Sequence, residues 1–266
     1  MPSEKPGKSI ASVKVLKQTV RVFFDEERLD LSHDAYTNHY LYVGKTLSDK
    51  EYAELKDASE TCTYEKYARN LLSKGLYTRK QVVDRLYARQ AKRWMVESIV
   101  ARLESEGLID DRAFMEERLE YGHARNEGFH HIREDLIQKG INPELVAAVV
   151  LDEETEAQKA LVWLPRLLKQ YGAKSSQARK HGIYDWYLRH GFDGVTIARV
   201  INEVEDLDGA LEMENLRRDL ASAKRKYASK YRGRQLKDRL YKYLAQRGYN
   251  YSKIATALGA CEHEMD

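Results

Sequence analysis

Cysteine, proline and extended apolar runs are scarce in these 266 residues, and each scarcity excludes a class of protein. The two cysteines, Cys62 and Cys261, stand about 200 residues apart, so we expect no disulfide framework of a small secreted domain. The longest strictly apolar run covers the seven residues from Leu145 to Leu151, far short of a membrane span. The first 15 residues hold no apolar segment of the kind that a secretory signal needs. We therefore expect a cytoplasmic protein with no membrane partner.

Proline and glycine are also few, with four and 15 residues respectively. Beyond residue 7 the only prolines are Pro143 and Pro165, so long helices are permitted almost everywhere. The apolar fraction of 42% is too high for a disordered chain, yet modest for one thick core. The length allows one large domain or two smaller ones.

The net charge is only +3, but basic and acidic residues are segregated along the chain. Residues 217–247 hold twelve lysines and arginines against two aspartates, and residues 74–93 hold seven against one. Residues 97–120 hold eight acids and three arginines, and residues 203–214 hold six acids and no base. This segregation predicts basic surfaces that meet a polyanion or an acidic partner. Solvated helix faces are the alternative that the charge pattern leaves open.

The first 60 residues differ in pattern from the rest of the chain. Short β-prone runs on either side of an acidic turn at residues 25–27 predict a small β-hairpin. Two short helices are predicted next, over residues 33–42 and 49–59, with Ser32 and Ser48 as their N-caps. This element is too small for a robust core of its own, so we expect it to dock on the next part of the chain.

From Thr63 onward a repeat is anchored at Gly140, Gly191 and Gly248, and Gln90 takes the same place upstream. Apolar residues recur eight and four positions before each glycine anchor, and one, six and ten positions after it. The matching residues are Ile132, Leu136, Ile141, Val146 and Val150; Ile183, Tyr187, Phe192, Ile197 and Ile201; and Leu240, Leu244, Tyr249, Ile254 and Leu258. Around Gln90 the frame gives Val82, Leu86, Val96 and Val100.

The two positions before an anchor lie on one face of a helix, and a glycine at the anchor can take a positive φ and end that helix. The positions six and ten after it form the apolar stripe of the next helix. A longer helix precedes each pair, over residues 64–74, 112–125, 155–171 and 214–232. The predicted fold class is mainly α, with tandem three-helix-bundle repeats in an elongated array and a small N-terminal β-hairpin-containing element.

Five parts are expected along the chain. They are an N-terminal element over residues 1–60 and four three-helix modules over residues 61–109, 110–154, 155–206 and 207–266. Because each module is only about 50 residues long, it gains stability by stacking on its neighbours.

Units of this kind resemble helix-turn-helix modules, which read DNA with the start of their last helix. Here those starts are Asn142, Asp193 and Asn250, and none carries an arginine, so base reading is disfavoured. Basic residues lie instead on the middle helices, which suits contact with a nucleic-acid backbone or a protein surface. The candidate binding residues are Arg79, Lys80, Arg85, Arg89, Lys92, Arg93, Arg133, Lys139, Arg189, Arg234, Lys237, Arg239, Lys242 and Arg247.

The sequence gives no positive sign of catalysis, so we expect no enzyme activity, no metal and no cofactor. It contains no phosphate-binding loop motif. The neighbouring His130 and His131 would point about 100° apart on a helix, and no second metal-ligand pair supports them. Asp110 and Asp111 stand at a helix start, where acids usually cap.

Tyrosine is abundant, with 18 residues, and several tyrosines are interleaved with the basic residues of the last module. Aromatic side chains among lysines and arginines can stack on single-stranded bases. Core packing is the alternative, since Tyr227 and Tyr231 are four residues apart and share a helix face.

Residues 107–141 read GLIDDRAFMEERLEYGHARNEGFHHIREDLIQKGI and end in an Ile-x-x-x-Leu-x-x-Lys-Gly-Ile pattern. Upstream stand Tyr67-Ala68, Leu71-Leu72 and Arg79-Lys80-Gln81-Val82, and downstream stands Leu188-Arg189-His190-Gly191-Phe192. In this order and spacing, the sequence resembles the RecX family of recombination regulators over roughly residues 10–258. It departs from the family pattern at Gln90, where a glycine is expected, and in a fourth unit over residues 214–258 that shorter relatives do not have.

The resemblance implies a monomeric, non-enzymatic modulator that binds the groove of the RecA recombinase filament. Such a protein restrains ATP hydrolysis and strand exchange by RecA in homologous recombination, DNA repair and the SOS response. Single- or double-stranded DNA would be a weaker, electrostatic partner. Two alternatives stay open: a helical-repeat protein that binds DNA directly without RecA, and a helical adaptor for some other protein.

Overall fold

The computed structural model describes residues 8–202 and 209–262 of the chain. Its N-terminal part holds five short strands: β1 Lys8–Ser9, β2 Ser12–Val15, β3 Val20–Phe23, β4 Arg28–Leu31 and β5 Thr46–Leu47. Strands β2, β3 and β4 form one antiparallel sheet in that order, and β1 pairs with β5 in a second. The chain turns between β3 and β4 at the predicted acidic residues, where the backbone N–H of Phe24 donates to the carbonyl of Glu27 at 2.8 Å. The predicted β-hairpin element is confirmed.

Thirteen helices lie within the described residues. The first two are α1 His33–Asn38 and α2 Asp49–Leu72. The remainder are α3 Arg79–Ala88, α4 Arg93–Ser105, α5 Asp111–Ala124, α6 Phe129–Gln138, α7 Pro143–Ala147, α8 Glu153–Tyr171, α9 Ser176–Arg189, α10 Gly194–Asn202, α11 Gly209–Tyr227, α12 Gly233–Gln246 and α13 Tyr251–Glu262. The predicted fold class of a mainly helical repeat protein with a small N-terminal sheet is confirmed.

Both predicted N-caps near the sheet are confirmed. The Ser32 hydroxyl accepts a hydrogen bond from the backbone N–H of Ala35, and Ser48 forms a capping box with Glu51. Helix α1 is shorter than predicted and ends at Asn38, because the chain enters the left-handed region at Tyr40, with a φ of 46°.

A second predicted boundary is wrong. Helix α2 is one continuous helix where two helices were predicted, over residues 49–59 and 64–74. Residues 60–63 between them contain neither glycine nor proline. The hydroxyl groups of Thr61 and Thr63 donate to carbonyls four residues earlier, so both threonines fit the helix. The expected boundary after residue 60 therefore lies inside α2, and the five-part division of the chain stays a prediction.

The apolar face of the sheet packs on helix α2 and forms the N-terminal core. Val22 and Leu29 are opposite each other in the β3–β4 register, and both are buried together with Leu55 of α2. On the opposite face, the Arg21 guanidinium lies 2.6 Å from the Asp30 carboxylate. The alternation of inward apolar and outward charged residues fixes the register, since a one-residue slip would exchange the two faces.

The helices from α2 onward repeat in triplets. The four repeats are α2–α4, α5–α7, α8–α10 and α11–α13, and their middle helices are α3, α6, α9 and α12. The predicted first helices of repeats two and three match α5 and α8 within two residues. Helix α11 occupies Gly209–Tyr227 rather than 214–232, and its first turn contains Glu212, an acid that interacts favourably with the helix dipole there.

The frame of core positions around the anchors is confirmed with one exception. Every residue eight or four positions before an anchor, and one or six positions after it, is buried. The exception is Val150, which was predicted to lie in an apolar stripe and is 90% exposed. Helix α7 ends at Ala147, so Val150 lies beyond the helix that would have turned it inward.

Each middle helix ends two residues before its anchor in the same left-handed turn. Gly191 has a φ of 82°, and the backbone N–H of Phe192 donates to the carbonyl of Tyr187 at 3.1 Å. This bond closes a Schellman-type C-cap, as the pattern predicted for the glycine anchors. Gln90 adopts the same turn with a φ of 65°, so the missing glycine in repeat one does not change the turn.

In two repeats the side chain at the N-cap of the middle helix also donates a hydrogen bond to a backbone carbonyl in the anchor turn of the next repeat. The Thr78 hydroxyl at the start of α3 donates to the carbonyl of Lys139 at 2.6 Å. The Ser175 hydroxyl at the start of α9 donates to the carbonyl of Arg247, also at 2.6 Å. Periodicity within a single repeat carries no signal for these junctions, and sequence reasoning did not find them.

The chain divides into two compact units. The first reaches Glu116 and takes in Lys139–Ile141, and the second holds Glu117–Gln138 and the chain from Asn142 onward. Within the first unit, one apolar cluster fills repeat one and another lies under the sheet. Within the second unit, repeats three and four have a cluster each. Repeats one, three and four therefore each have an apolar core of their own.

Candidate interaction surface

Arg85 of helix α3 and Arg89, the C-cap residue of that helix, are four residues apart, while Val82 and Leu86 are buried. The Arg85 guanidinium lies 4.7 Å from the ring centre of Tyr77, and that of Arg89 lies 3.9 Å from the ring centre of Tyr67. Within the described residues, neither guanidinium is in an ion pair with a carboxylate. A ring fixes the plane of a guanidinium without neutralising its charge, so both arginines keep donors available for an anion.

Three other basic residues of repeat one are bound to acids. Arg79 lies 2.9 Å from Glu104, Arg93 lies 2.8 Å from Glu97 of the same helix, and Lys92 lies 2.5 Å from Asp57. The hydrogen bond to Asp57 raises the pKa of Lys92 above its ordinary value. These pairs are solvent-exposed and individually weak, but a partner must compete with them.

The candidate residues of the two central repeats lie in different surroundings. Arg133 is exposed on α6, and no residue of the described chain forms an ion pair with it. Lys139 is half-buried, with its ammonium group 5.4 Å from the ring centre of Phe114. The Arg189 side chain folds back on its own helix and donates to the carbonyl of Asp185 at 3.1 Å. Lys80 packs its alkyl chain beside the Gly140 turn.

Repeat four carries exposed basic residues along α12, namely Arg234, Lys237, Arg239 and Lys242. The Arg239 guanidinium lies 5.2 Å from the ring centre of Tyr231. Arg247 differs from them, because its guanidinium is 3.0 Å from the Asp219 carboxylate and packs over Tyr243. Every middle helix thus carries basic side chains, some of which are held in ion pairs while others are not.

The tyrosines of repeat four divide between the core and the surface. Tyr249 is buried, and its hydroxyl donates to Asp219 at 2.9 Å, so burial and this bond raise its pKa. Tyr227 lies 5.8 Å from Tyr243 between ring centres and packs on the apolar cluster. Tyr251 is exposed and is therefore the member of the set that a partner can reach most easily.

The polar residues considered for base reading or catalysis serve as helix caps. Asn142, Asp193 and Asn250 each accept backbone N–H bonds at the start of a third helix. Asp110 likewise accepts two backbone N–H bonds at the start of α5, and Asp111 accepts one from Arg79. These carboxylates are committed to backbone donors.

One buried polar cluster was not found from the sequence. Glu156 and Lys159 of α8 form an ion pair, and both are almost fully buried. Glu156 accepts the backbone N–H of Phe129 at 3.1 Å, and Lys159 donates to the carbonyl of Glu127 at 2.9 Å. The pair therefore ties α8 to the start of α6. Its only sequence signal is an acid and a base three residues apart, which is common on exposed helices.

Metal clusters and membrane-spanning helices are both absent from the described part of the chain. Its residues contain no group of three or more histidine, cysteine or acidic side chains that could hold a metal ion. None of the helices in residues 8–202 and 209–262 has the length and apolar content to cross a bilayer.

This architecture defines a class of protein: a tandem array of three-helix units, each closed by a left-handed turn, with a small sheet at the N-terminus. Comparison with solved structures gives the same fold. A crystal structure of the regulatory protein RecX matches 73% of this chain and 99% of its own with a TM-score of 0.65, at 19% sequence identity. RecX from Lactobacillus salivarius matches 56% of this chain and 98% of its own, with a TM-score of 0.52 and 24% identity.

Sequence comparison finds relatives with the same description. The regulatory protein RecX of Streptococcus sanguinis is 27% identical over 241 residues, covering 88% of this chain and 92% of the relative. That of Lactococcus lactis subsp. lactis is 25% identical over 263 residues, covering 94% and 96%. No family model matches the chain. The resemblance to RecX regulatory proteins that the sequence suggested is therefore confirmed over most of the chain.

Proposed function

We propose that this protein binds the RecA–DNA filament and reduces the ATP hydrolysis and strand exchange that RecA carries out in recombination and DNA repair. It acts in the cytoplasm as a monomer, needs no cofactor and hydrolyses no nucleotide itself. Its regulatory relatives, matched over most of their length, support this proposal.

The observation that carries the proposal is the pair Arg85 and Arg89 on α3. Their guanidiniums are oriented by Tyr77 and Tyr67, and within the described residues no acid is paired with them. A filament of RecA on DNA offers phosphates and carboxylates at regular intervals. A repeat protein gains affinity for such a polymer because each added unit binds at a high effective concentration.

The proposal is tested by titrating the protein into RecA that is hydrolysing ATP on single-stranded DNA. We expect RecA turnover to fall at near-equal or lower ratios of protein to RecA, while the protein alone hydrolyses no ATP. If RecA turnover stays constant across a wide titration, the proposal is wrong.

Direct DNA binding without RecA is a second candidate function. It is favoured by α12, where Arg234 and Lys242 are exposed and form no ion pair within the described residues. Parallel titrations against bare DNA and against the RecA–DNA filament separate the two functions. Equal affinity for both would favour direct DNA binding, and a marked preference for the filament would favour the first function.

A further inference from the structure

Exposed apolar side chains recur at fixed places in the anchor frame. Three positions before an anchor stand Tyr87, Ile137 and Leu188, and seven positions before stand Tyr184 and Tyr241. Tyr251 stands three positions after its anchor. We name this set, Tyr87, Ile137, Tyr184, Leu188, Tyr241 and Tyr251, the apolar seam. Apart from the half-buried Tyr241, its members are between 37% and 73% exposed.

In repeats one and four, members of the apolar seam lie between the middle and third helices. In repeat one, Val83 and Tyr87 of α3 face Val96 and Val100 of α4 across a cleft of about 260 Å³. In repeat four, the rings of Tyr241 and Tyr251 are 4.6 Å apart and bridge α12 and α13. Apolar side chains therefore lie between the middle and third helices in both of these repeats, and the position seven before the anchor contributes in each.

In the second unit the apolar seam borders a larger cleft between repeats three and four, of about 930 Å³. Tyr184 lines one side, and Ala245, the residue three positions before the last anchor, lines the other. The basic side chains at its walls include Lys174, Lys180 and Arg247. Asp219 is the acid at these walls, and it is bonded to Arg247. The cleft is therefore apolar in part and basic at its rim.

The residue types of the seam discriminate between two kinds of partner. Stacking on nucleic-acid bases requires a π face at each contact. Ile137 and Leu188 occupy the position that Tyr87 holds in repeat one, and aliphatic side chains have no π face. An apolar pocket on a protein surface, unlike a stacked base, can accept tyrosine, isoleucine or leucine at the same position.

We propose that the apolar seam is a docking face for successive subunits of a protein filament. This assignment requires each subunit to present an apolar pocket with carboxylates around it. The carboxylates are complementary to the basic rim of the cleft and to α3, α9 and α12, each of which carries more basic than acidic residues. Because the seam recurs in each repeat, its partner must also recur. This inference rests on the proposed function and assigns its protein contacts to the seam rather than to the basic residues alone.

The test compares two triple variants of the full chain. The seam variant carries Tyr87→Ser, Ile137→Ser and Leu188→Ser. The control variant carries Val150→Ser, Val162→Ser and Leu211→Ser, which replace three exposed apolar residues outside the seam. All six side chains are exposed, so both variants should keep the helical content and melting temperature of the wild type. The single Leu188→Ser variant provides a milder perturbation.

Binding is measured on RecA-coated, fluorescently labelled single-stranded DNA held with a non-hydrolysable ATP analogue, and on the same DNA without RecA. We expect Leu188→Ser to weaken filament binding about fivefold and the seam variant to weaken it on the order of 100-fold, if the effects multiply. The control variant should bind within about twofold of the wild type. Binding to bare DNA should stay unchanged in all variants.

Three outcomes would overturn the inference. If the seam variant binds the filament as tightly as the wild type does, the seam is not the docking face, although the proposed function stands. If affinity for bare DNA falls as much as affinity for the filament, the occupant of the seam is nucleic acid. If the wild type itself does not bind the filament, the proposed function fails and the inference fails with it.

Discussion

Neutralising Arg85 and Arg89 together tests whether the basic side of α3 meets phosphates. The change Arg85→Gln with Arg89→Gln removes two charges and leaves the buried Val82 and Leu86 untouched. Two guanidinium–ring contacts are lost, at about 0.5–1 kcal/mol each for exposed sites. The free energy of unfolding should therefore fall by about 1–2 kcal/mol, and the variant should remain folded.

The effect on binding follows from counterion release. Each phosphate neutralised on single-stranded DNA contributes about −0.7 to the log–log slope of affinity against salt. If the protein neutralises about five phosphates, the wild-type slope is roughly −3.5, and its affinity falls about 100-fold between roughly 50 and 200 mM salt. If Arg85 and Arg89 supply two of the five, the variant has a slope of roughly −2.1 and loses only about 20-fold over the same range.

The assay is binding to bare single-stranded DNA, for which the slope is worked out, and to the filament, each at four or more salt concentrations. Its matched control is Arg93→Gln. Arg93 lies in the same repeat and is bound to Glu97, so its loss should change the slope less than the loss of either stacked arginine. The reversals Arg85→Glu with Arg89→Glu, and Arg239→Glu with Lys242→Glu, should weaken binding further while sparing the fold. If the affinity and slope of every variant equal those of the wild type, the basic residues are solvated surface and the reasoning is refuted.

Four substitutions test the fold itself, each by chemical denaturation. Gln90→Gly should raise the free energy of unfolding by about 0.5–1 kcal/mol, because relief of a left-handed side-chain clash outweighs the added freedom of the unfolded chain. Gly191→Ala should lower it by about 2 kcal/mol or more, since the φ is positive and the new Cβ would overlap helix α6. Tyr241→Phe should raise it by about 1 kcal/mol, because the Tyr241 hydroxyl is buried without a hydrogen-bond partner in the described residues. Burial lowers the pKa of His123 below its ordinary value of 6.5, so near that pH the unfolded chain binds more protons than the folded one. The free energy of unfolding should therefore fall when the pH is lowered through this range, and it should fall less in His123→Gln.

The core of each repeat could be predicted from the sequence because it depends on local periodicity. Ile132, Ile183 and Leu240 share one offset from their anchors, and all three are buried. A helix with a 3.6-residue period brings such positions to one face in any context. The prediction failed at Val150, where the end of a short helix, rather than the period, decided burial.

The candidate surface could be predicted only in part, because charge along the chain does not reveal pairing. Lys92 and Arg89 are equivalent as residues in a basic run. In the fold, Lys92 meets Asp57 of α2, whereas Arg89 stacks on Tyr67 of the same helix. The partner stands 35 residues away in one case and 22 in the other, and no local pattern carries that information. Long-range contacts therefore decide which cations stay available.

The anchors explain why repeat one can do without its glycine. Gly140 lies against Lys80, Gly191 against His131 and Gly248 against Ser175, so an added Cβ at any of these three anchors would press on the start of the preceding middle helix.

Gln90 is the anchor of the first repeat, which has no earlier repeat to meet, and its side chain is exposed. There the turn needs only a positive φ, which glutamine adopts at moderate cost. Glycine is thus required by the junction between repeats as well as by the turn. Each of the three glycine anchors lies at such a junction, and Gln90 does not.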